Sequence, residues 1–287
     1  MRPAPRADRF RAAVAVAAGL TLAACRPSTP AADTTPAHRV VSLSPAFTEL
    51  LFAIGAGDRV VGRTAWCDAP TEALVVPSVG DGLAPNVEAV LARAPDLVVL
   101  YASGTNAAAT DRLAALGVPT RTLPMDRLDD VPAAARALGQ LTGTAGHADS
   151  LAAAFERAVD SARVAPPSGP APRVLLLAWE EPPIVIGGGS FQDELVRLAG
   201  AANVFADLPM PSAQVTVEAI AARDPDLIVL LDADGMPAWS ERPEWQVVRA
   251  VRERRFLPVR GTAFARPTLR ALDAVRMLQR AFAGTTR

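Results

Sequence analysis

Cysteine, histidine and lysine are scarce or absent in this chain, and the first two gaps each exclude a class of function. The two cysteines are Cys25 and Cys67. Cys25 falls at the end of an N-terminal leader, so the body has no pair for an intrachain disulfide. Two histidines, His38 and His147, are too few for a zinc or haem site built on imidazole. Lysine does not occur, so all 29 basic side chains are arginines, a compositional trait that carries no functional assignment. Net charge is small as well: −1 for the whole chain, and about −4 without the leader's four arginines and one aspartate, which argues against nucleic acid as a partner. Aromatics make up 5% of residues, so those at strand ends stand out.

The leader itself is legible. Arg2, Arg6, Arg9 and Arg11 precede a short apolar run, 12–24, that ends in small residues. This is the pattern of an export signal over residues 1–24, too short to be a good membrane span. It closes on Leu22-Ala23-Ala24-Cys25, which resembles a bacterial lipobox. The resemblance implies lipidation of Cys25 and a mature chain anchored to a membrane, facing the periplasm or the cell exterior. Residues 26–38 form a Pro/Thr/Ala tract without hydrophobic periodicity. With Cys25 it makes a flexible tether over 25–38, spanning at most ~45 Å when extended.

In the body, short β-branched runs recur at 39–43, 59–61, 97–101, 119–123, 173–177, 184–186, 227–231 and 255–259. Helical patterns lie between them at 46–54, 87–94, 107–116, 191–198, 217–222 and 266–282. Apolar strands alternating with amphipathic helices predict an α/β fold with mostly parallel sheets covered on both faces. The chain also repeats itself. NVEAVLARAPDLVVL (86–100) and TVEAIAARDPDLIVL (216–230) match at ten of fifteen positions, 130 residues apart. A weaker echo links 47–62 to 191–206. Two similar lobes follow: an N-terminal α/β lobe over 39–130 and a C-terminal one over 166–287, with a cleft between them. The segment 131–165 is alanine-rich, with Gly143 and Gly146 interrupting it, and its amphipathic stretch from 147 to 163 predicts a single rigid linking helix ~25–30 Å long.

Ligands of α/β lobes bind outside the carboxyl ends of the strands. Those ends carry SPAFTE (44–49), YASGTN (101–106), AWEEPP (178–183), GGGS (187–190) and DADGMP (232–237). The set is aromatic, small and lightly polar, without a Ser/His/Asp set, a Cys/His pair or paired-histidine spacing. The glycines of GGGS precede a helix but lack the Lys-Ser/Thr ending of a phosphate loop, so they read as a turn lining the cleft. Trp66, Tyr101 and Trp179 offer flat faces to a large, partly apolar solute, and Arg266 offers a charged donor. Cys67 reads as a small packed residue.

These features together resemble periplasmic solute-binding proteins of the cobalamin/iron-siderophore class, which serve ATP-driven importers, with the cobalamin-binding branch nearest. The paired E-A-x-x-A-R-x-P-D-L segments carry the resemblance, which runs from 39 to 282. It implies two lobes, a solute held between them with little closure, and no enzymatic activity. It places Trp66, Tyr101 and Arg266 in the cleft, and together with the loops at the strand ends the expected solute contacts are Ser44, Pro45, Ala46, Trp66, Asp81, Gly82, Tyr101, Trp179, Met210 and Arg266. It also assigns docking on a dimeric permease, driven by its ATPase, to Glu88 and Glu218. The protein is expected to be a monomer with no resident cofactor or metal, its bound solute being either cobalamin or a ferric siderophore. Where cobalamin-binding members have tryptophans, this chain has Gly82 and the stretch 210–212. A reading from another class stays open: a cleft hydrolase or transferase with Glu180 or Asp68 as base.

Overall fold

A computed structural model describes residues 35–82, 85–163, 170–233 and 235–285. The export signal, Cys25 and the tether as far as residue 34 lie outside the described residues.

Four strands, β1 (Val40–Ser42), β2 (Val60–Arg63), β3 (Leu97–Tyr101) and β4 (Thr120–Leu123), make an all-parallel sheet in the order β2-β1-β3-β4. The helices α1 (Pro45–Ala53), α2 (Val87–Leu91) and α3 (Gly104–Ala115) alternate with them. A helical pair, α4 (Asp130–Thr142) and α5 (Ala145–Ala162), leads to the second sheet. That sheet contains β5 (Arg173–Glu180), β6 (Pro183–Ile186), β7 (Ala202–Asn203), β8 (Ser212–Gln214), β9 (Leu227–Leu231) and β10 (Phe256–Val259). Its order is β10-β9-β5-β6-β8, with β7 beside β5. The strands β10, β9 and β5 are parallel, whereas β6 runs antiparallel to both β5 and β8. Its helices are α6 (Phe191–Leu198), α7 (Val217–Ala222), α8 (Arg249–Arg252), α9 (Thr262–Ala265) and α10 (Ala271–Thr285).

The repeated sequence builds the same corner twice. Asn86 and Thr216 cap α2 and α7, each side-chain oxygen accepting from the backbone N–H three residues on, at 3.0 and 3.2 Å. The following Ala94 and Asp224 both take positive φ, 45° and 39°, which turns the chain sharply into the next strand. Asp96 then accepts from the Arg39 N–H at 2.9 Å, and Asp226 from the Arg173 N–H at 2.9 Å. The Pro-Asp of each copy thus holds the start of the neighbouring strand, β1 or β5, in place.

Alternation along the strands sorts the core. Val40, Leu97 and Val99 of the first sheet, and Val174, Leu176, Leu227 and Val229 of the second, face one continuous buried cluster that includes Leu138, Phe155 and Leu278. Val41, Val98 and Leu100 face a smaller cluster outside the first sheet, and Leu175, Ile228 and Leu230 one outside the second. At ~1.5–3 kcal/mol per buried aliphatic side chain, the shared cluster is the main cohesion of the fold.

Three expectations are revised. The single linking helix is two helices packed as a hairpin, because Gly143 at φ 66° ends α4 in a left-handed cap. The last helix starts only at Ala271, since Pro267 disfavours helical backbone in the residue before it. The stretch 178–180, expected as loop, continues β5 by pairing with β6.

The hairpin rests on a close crossing: a Cβ on Gly139 would lie 2.3 Å from the Ala148 Cβ. Gly139→Val is therefore expected to lower stability by about 1–3 kcal/mol, read as a fall in the urea midpoint. A midpoint at the wild-type value would refute this crossing.

Candidate functional site

The loops leaving the first sheet converge on a cavity of about 560 Å³. Ser44 follows β1 and occupies the N-cap position of α1 without a side-chain cap hydrogen bond, with Pro45 in the first turn where its missing N–H costs nothing. Ser44, Pro45 and Ala46 form one part of the wall; Thr64, Trp66, Asp81 and Gly82 form another; Tyr101, Asn106, Met125 and Asp126 complete this side. The second lobe answers with Gly189–Gln192, Pro211 and Ala265–Pro267. Eight of the ten residues expected to contact solute are thereby brought together. Trp179 and Met210 are not among the lining residues: the indole N–H of Trp179 donates to the Glu181 carbonyl at 2.9 Å, and Met210 is exposed beside Pro211.

In the second lobe the strand-end rule holds for the turn after β6 but not for the loops after β5 and β9. The inserted antiparallel β6 changes which turn reaches the cavity. The wall there is the Gly187–Ser190 turn at the start of α6, not the loops after β5 and β9. The glycines are required by space. A Cβ on Gly187 would fall 2.2 Å from the Met210 carbonyl oxygen, and one on Gly188 2.0 Å from that of Ala206. The Ser190 hydroxyl donates to the Gly187 carbonyl at 2.8 Å and accepts from the Asp193 N–H at 3.1 Å. The turn is a packed structural element, as its sequence suggested.

Polar chemistry in the cleft is sparse and defined. The Tyr101 hydroxyl donates to Asp126, and this hydrogen bond, together with burial, pushes the phenol up to about 12. Arg266 lies 3.8 Å from Asp68. Beside them, the buried Glu49 of α1 pairs with Arg270 across the lobes at 2.8 Å. Burial pushes the Glu49 carboxyl above its usual range, and the Arg270 hydrogen bond offsets only part of that. Further cross-lobe ties run from Arg127 to Glu194 at 2.5 Å and from the Leu128 N–H to Glu194 at 2.8 Å. Cys67 is fully buried between the Thr48 and Thr64 hydroxyls, each 3.1 Å from its sulfur. Among the described residues no group of His, Cys, Asp and Glu could hold a metal ion, and no helix is long and apolar enough to cross a membrane.

Asn106, Met125, Asp126 and Gln192 were not anticipated. The strand-end rule applied to the run 119–123 points at Met125 and Asp126; nothing in sequence marks Asn106, which is the last residue of a loop otherwise recognised.

Comparison with known proteins agrees with this architecture. The periplasmic binding protein family model matches residues 40–259. A vitamin B12-binding protein of Yersinia pestis is 34% identical over 194 residues, 68% of this chain and 69% of that one. The solved periplasmic vitamin B12-binding protein of Vibrio cholerae superposes with a TM-score of 0.75 at 27% identity, over 88% of this chain and 99% of the other. An apo haem-binding protein of Roseiflexus sp. RS-1 gives 0.75 at 25% identity, over 87% and 99%. The chain belongs to the periplasmic binding protein family. It is a solute-binding protein and not an enzyme, which sets aside the hydrolase reading of Glu180 and Asp68.

The raised carboxyl of Glu49 fixes a sign. A group protonated more readily in the folded than in the unfolded chain contributes stability below its unfolded value, near 4.5, and loses it as pH rises through its folded value. The melting temperature of wild type relative to Glu49→Gln should therefore fall as pH is raised from 4.5 toward neutrality. A difference that stays flat or grows with pH would contradict the burial of this carboxyl.

Proposed function

We propose that this protein captures a corrinoid and delivers it to a dimeric permease of an ATP-driven importer. The observation that carries the reading is Trp66, an indole 64% exposed at the wall of the cavity. Leaving so large an apolar face in water is unfavourable unless a solute covers it. The cavity, at about 560 Å³, lies in the range of pockets that enclose most of a drug-sized solute. A corrinoid exceeds that size and would leave part of itself at the mouth. Tyr101 favours the same reading over iron held through a phenolate, because its proton is committed to Asp126. The relatives named for vitamin B12 add to it.

The delivery half rests on Glu88 and Glu218. Both are exposed in the first turns of the two equivalent helices α2 and α7, and neither takes an arginine partner among the described residues. The Glu218 carboxyl is held below the usual range by its own backbone N–H and by Thr216, so it stays charged. Two like carboxylates on pseudo-equivalent lobes suit two equivalent basic sites on a two-fold permease. A lipid at Cys25 and the following tether would keep a monomeric receptor close to that permease while the body diffuses locally.

Cyanocobalamin should bind one-to-one by calorimetry, and Trp66→Ala should weaken it by about 1–3 kcal/mol. Saturation by a ferric siderophore or by haem, with none by any corrinoid, would redirect the solute assignment. The double variant Glu88→Ala/Glu218→Ala should keep solute affinity and melting temperature while importer-dependent uptake falls steeply and becomes less sensitive to salt. Uptake equal to wild type would remove the docking role.

A further inference from the structure

We infer that Asn106 and Asp126 make one wall of the cavity a reader of hydrogen-bond donors, so that the receptor selects an uncharged solute carrying carboxamide N–H groups and rejects the corresponding carboxylic acids. The inference rests on the solute-receptor reading and specifies what its cavity recognises.

Asn106 lines the cavity yet is only 2% exposed. Its side-chain amide donates to the Tyr101 carbonyl at 2.9 Å, which fixes the orientation of the group: reversed, it would set two carbonyl oxygens against each other. Its backbone is also committed, the N–H to the Ser103 hydroxyl at 3.3 Å and the carbonyl to the Thr110 hydroxyl at 2.9 Å. What remains is the Oδ1 atom, buried and without a partner. A buried carbonyl with no donor is costly, and native proteins rarely keep one without a use. Asn106 is a lining residue, so a solute donor that reaches this buried oxygen would supply the partner it lacks.

The neighbours reinforce this polarity. The Asp126 carboxylate accepts from the Tyr101 hydroxyl, and the Asp126 backbone N–H is spent on Asp130 at 2.7 Å. The Tyr101 hydroxyl keeps its proton engaged with Asp126, so toward the cavity its oxygen offers lone pairs. The wall formed by Asn106, Tyr101 and Asp126 therefore accepts and does not donate. Asp126 brings a carboxylate to this wall, and the guanidinium of the lining, Arg266, already has Asp68 3.8 Å away. A carboxylate on the solute at this wall would meet lone pairs and negative charge; a carboxamide in the same place donates its N–H and is neutral. Sites built to bond a polar hydrogen discriminate strongly against the analogue that lacks it.

The test compares cyanocobalamin with its three peripheral monocarboxylic acids, each having one carboxamide replaced by a carboxylate, by calorimetry near neutral pH. At least one acid should bind wild type roughly tenfold or more weakly than the parent. Asp126→Asn keeps an acceptor for the Tyr101 hydroxyl but removes the charge, and should narrow that gap to about threefold or less. Asn106→Leu should narrow it too, with folding checked by melting temperature; the Asp126 variant stands alone if the leucine variant does not fold. All three acids within about threefold of the parent on wild type, or a gap unchanged by Asp126→Asn, would overturn the inference. So would tighter binding of a trianionic ferric catecholate than of cyanocobalamin, which would leave the solute-receptor reading standing. Saturable binding of none of these solutes would overturn both.

Discussion

One buried cluster runs through both lobes, and the rest of the architecture depends on it. Alternate residues of β1 and β3, and the matching residues of β5 and β9, point into the same apolar volume, which α4, α5 and α10 complete. Moving one lobe against the other would expose part of that surface to water at roughly 25 cal/mol per Å². The Glu49–Arg270 and Arg127–Glu194 pairs add directional ties where the lobes meet. Each would be left with an uncompensated charge if the lobes separated, and for the buried Glu49 that is severe. The walls of the cavity are therefore set by the same packing that folds the chain.

Preformed walls change what recognition must rely on. A receptor that closes can adjust its contacts after encounter, whereas one held at fixed width gains affinity chiefly from surface already complementary to the solute. The surface that this cavity offers consists of an exposed indole, the phenol ring of Tyr101, the proline and alanine at the start of α1, and a few polar atoms. Apolar faces supply area without regard to detail; the few polar atoms impose orientation.

The sequence made the first lobe almost fully legible and the second only partly so. In the first, each β-branched run became a parallel strand and its following loop reached the cavity, so Ser44, Tyr101 and Trp66 could be located by rule. The second lobe carries an antiparallel insertion, and its short strands β7 and β8, of two and three residues, have too few side chains to show a period. The hairpin they support draws Trp179 into β5 and brings the glycine turn to the cavity wall instead. The linking segment was legible in part: α5 matches the amphipathic stretch and Gly143 was visible as a break, but that α4 folds back on α5 depends on the close crossing at Gly139 and Ala148, which is a tertiary fact.

The repeated segments show how one sequence pattern can carry two separable tasks. Its Pro-Asp ending is used inside the fold, where Asp96 and Asp226 tie down the starts of β1 and β5. Its capping residue is used too, since Asn86 and Thr216 each satisfy an otherwise orphaned N–H. The glutamate between them makes neither tie, although the Glu218 carboxyl also bonds its own N–H and Thr216. A single such carboxylate is adequately explained by the helix dipole, worth ~0.3–1 kcal/mol. Yet α2 and α7 have only five and six residues, so their dipoles are short and the stabilisation falls at the low end. The dipole accounts for each glutamate at small gain, and duplication of the exposed charge on two equivalent corners fits the proposed docking on a two-fold partner.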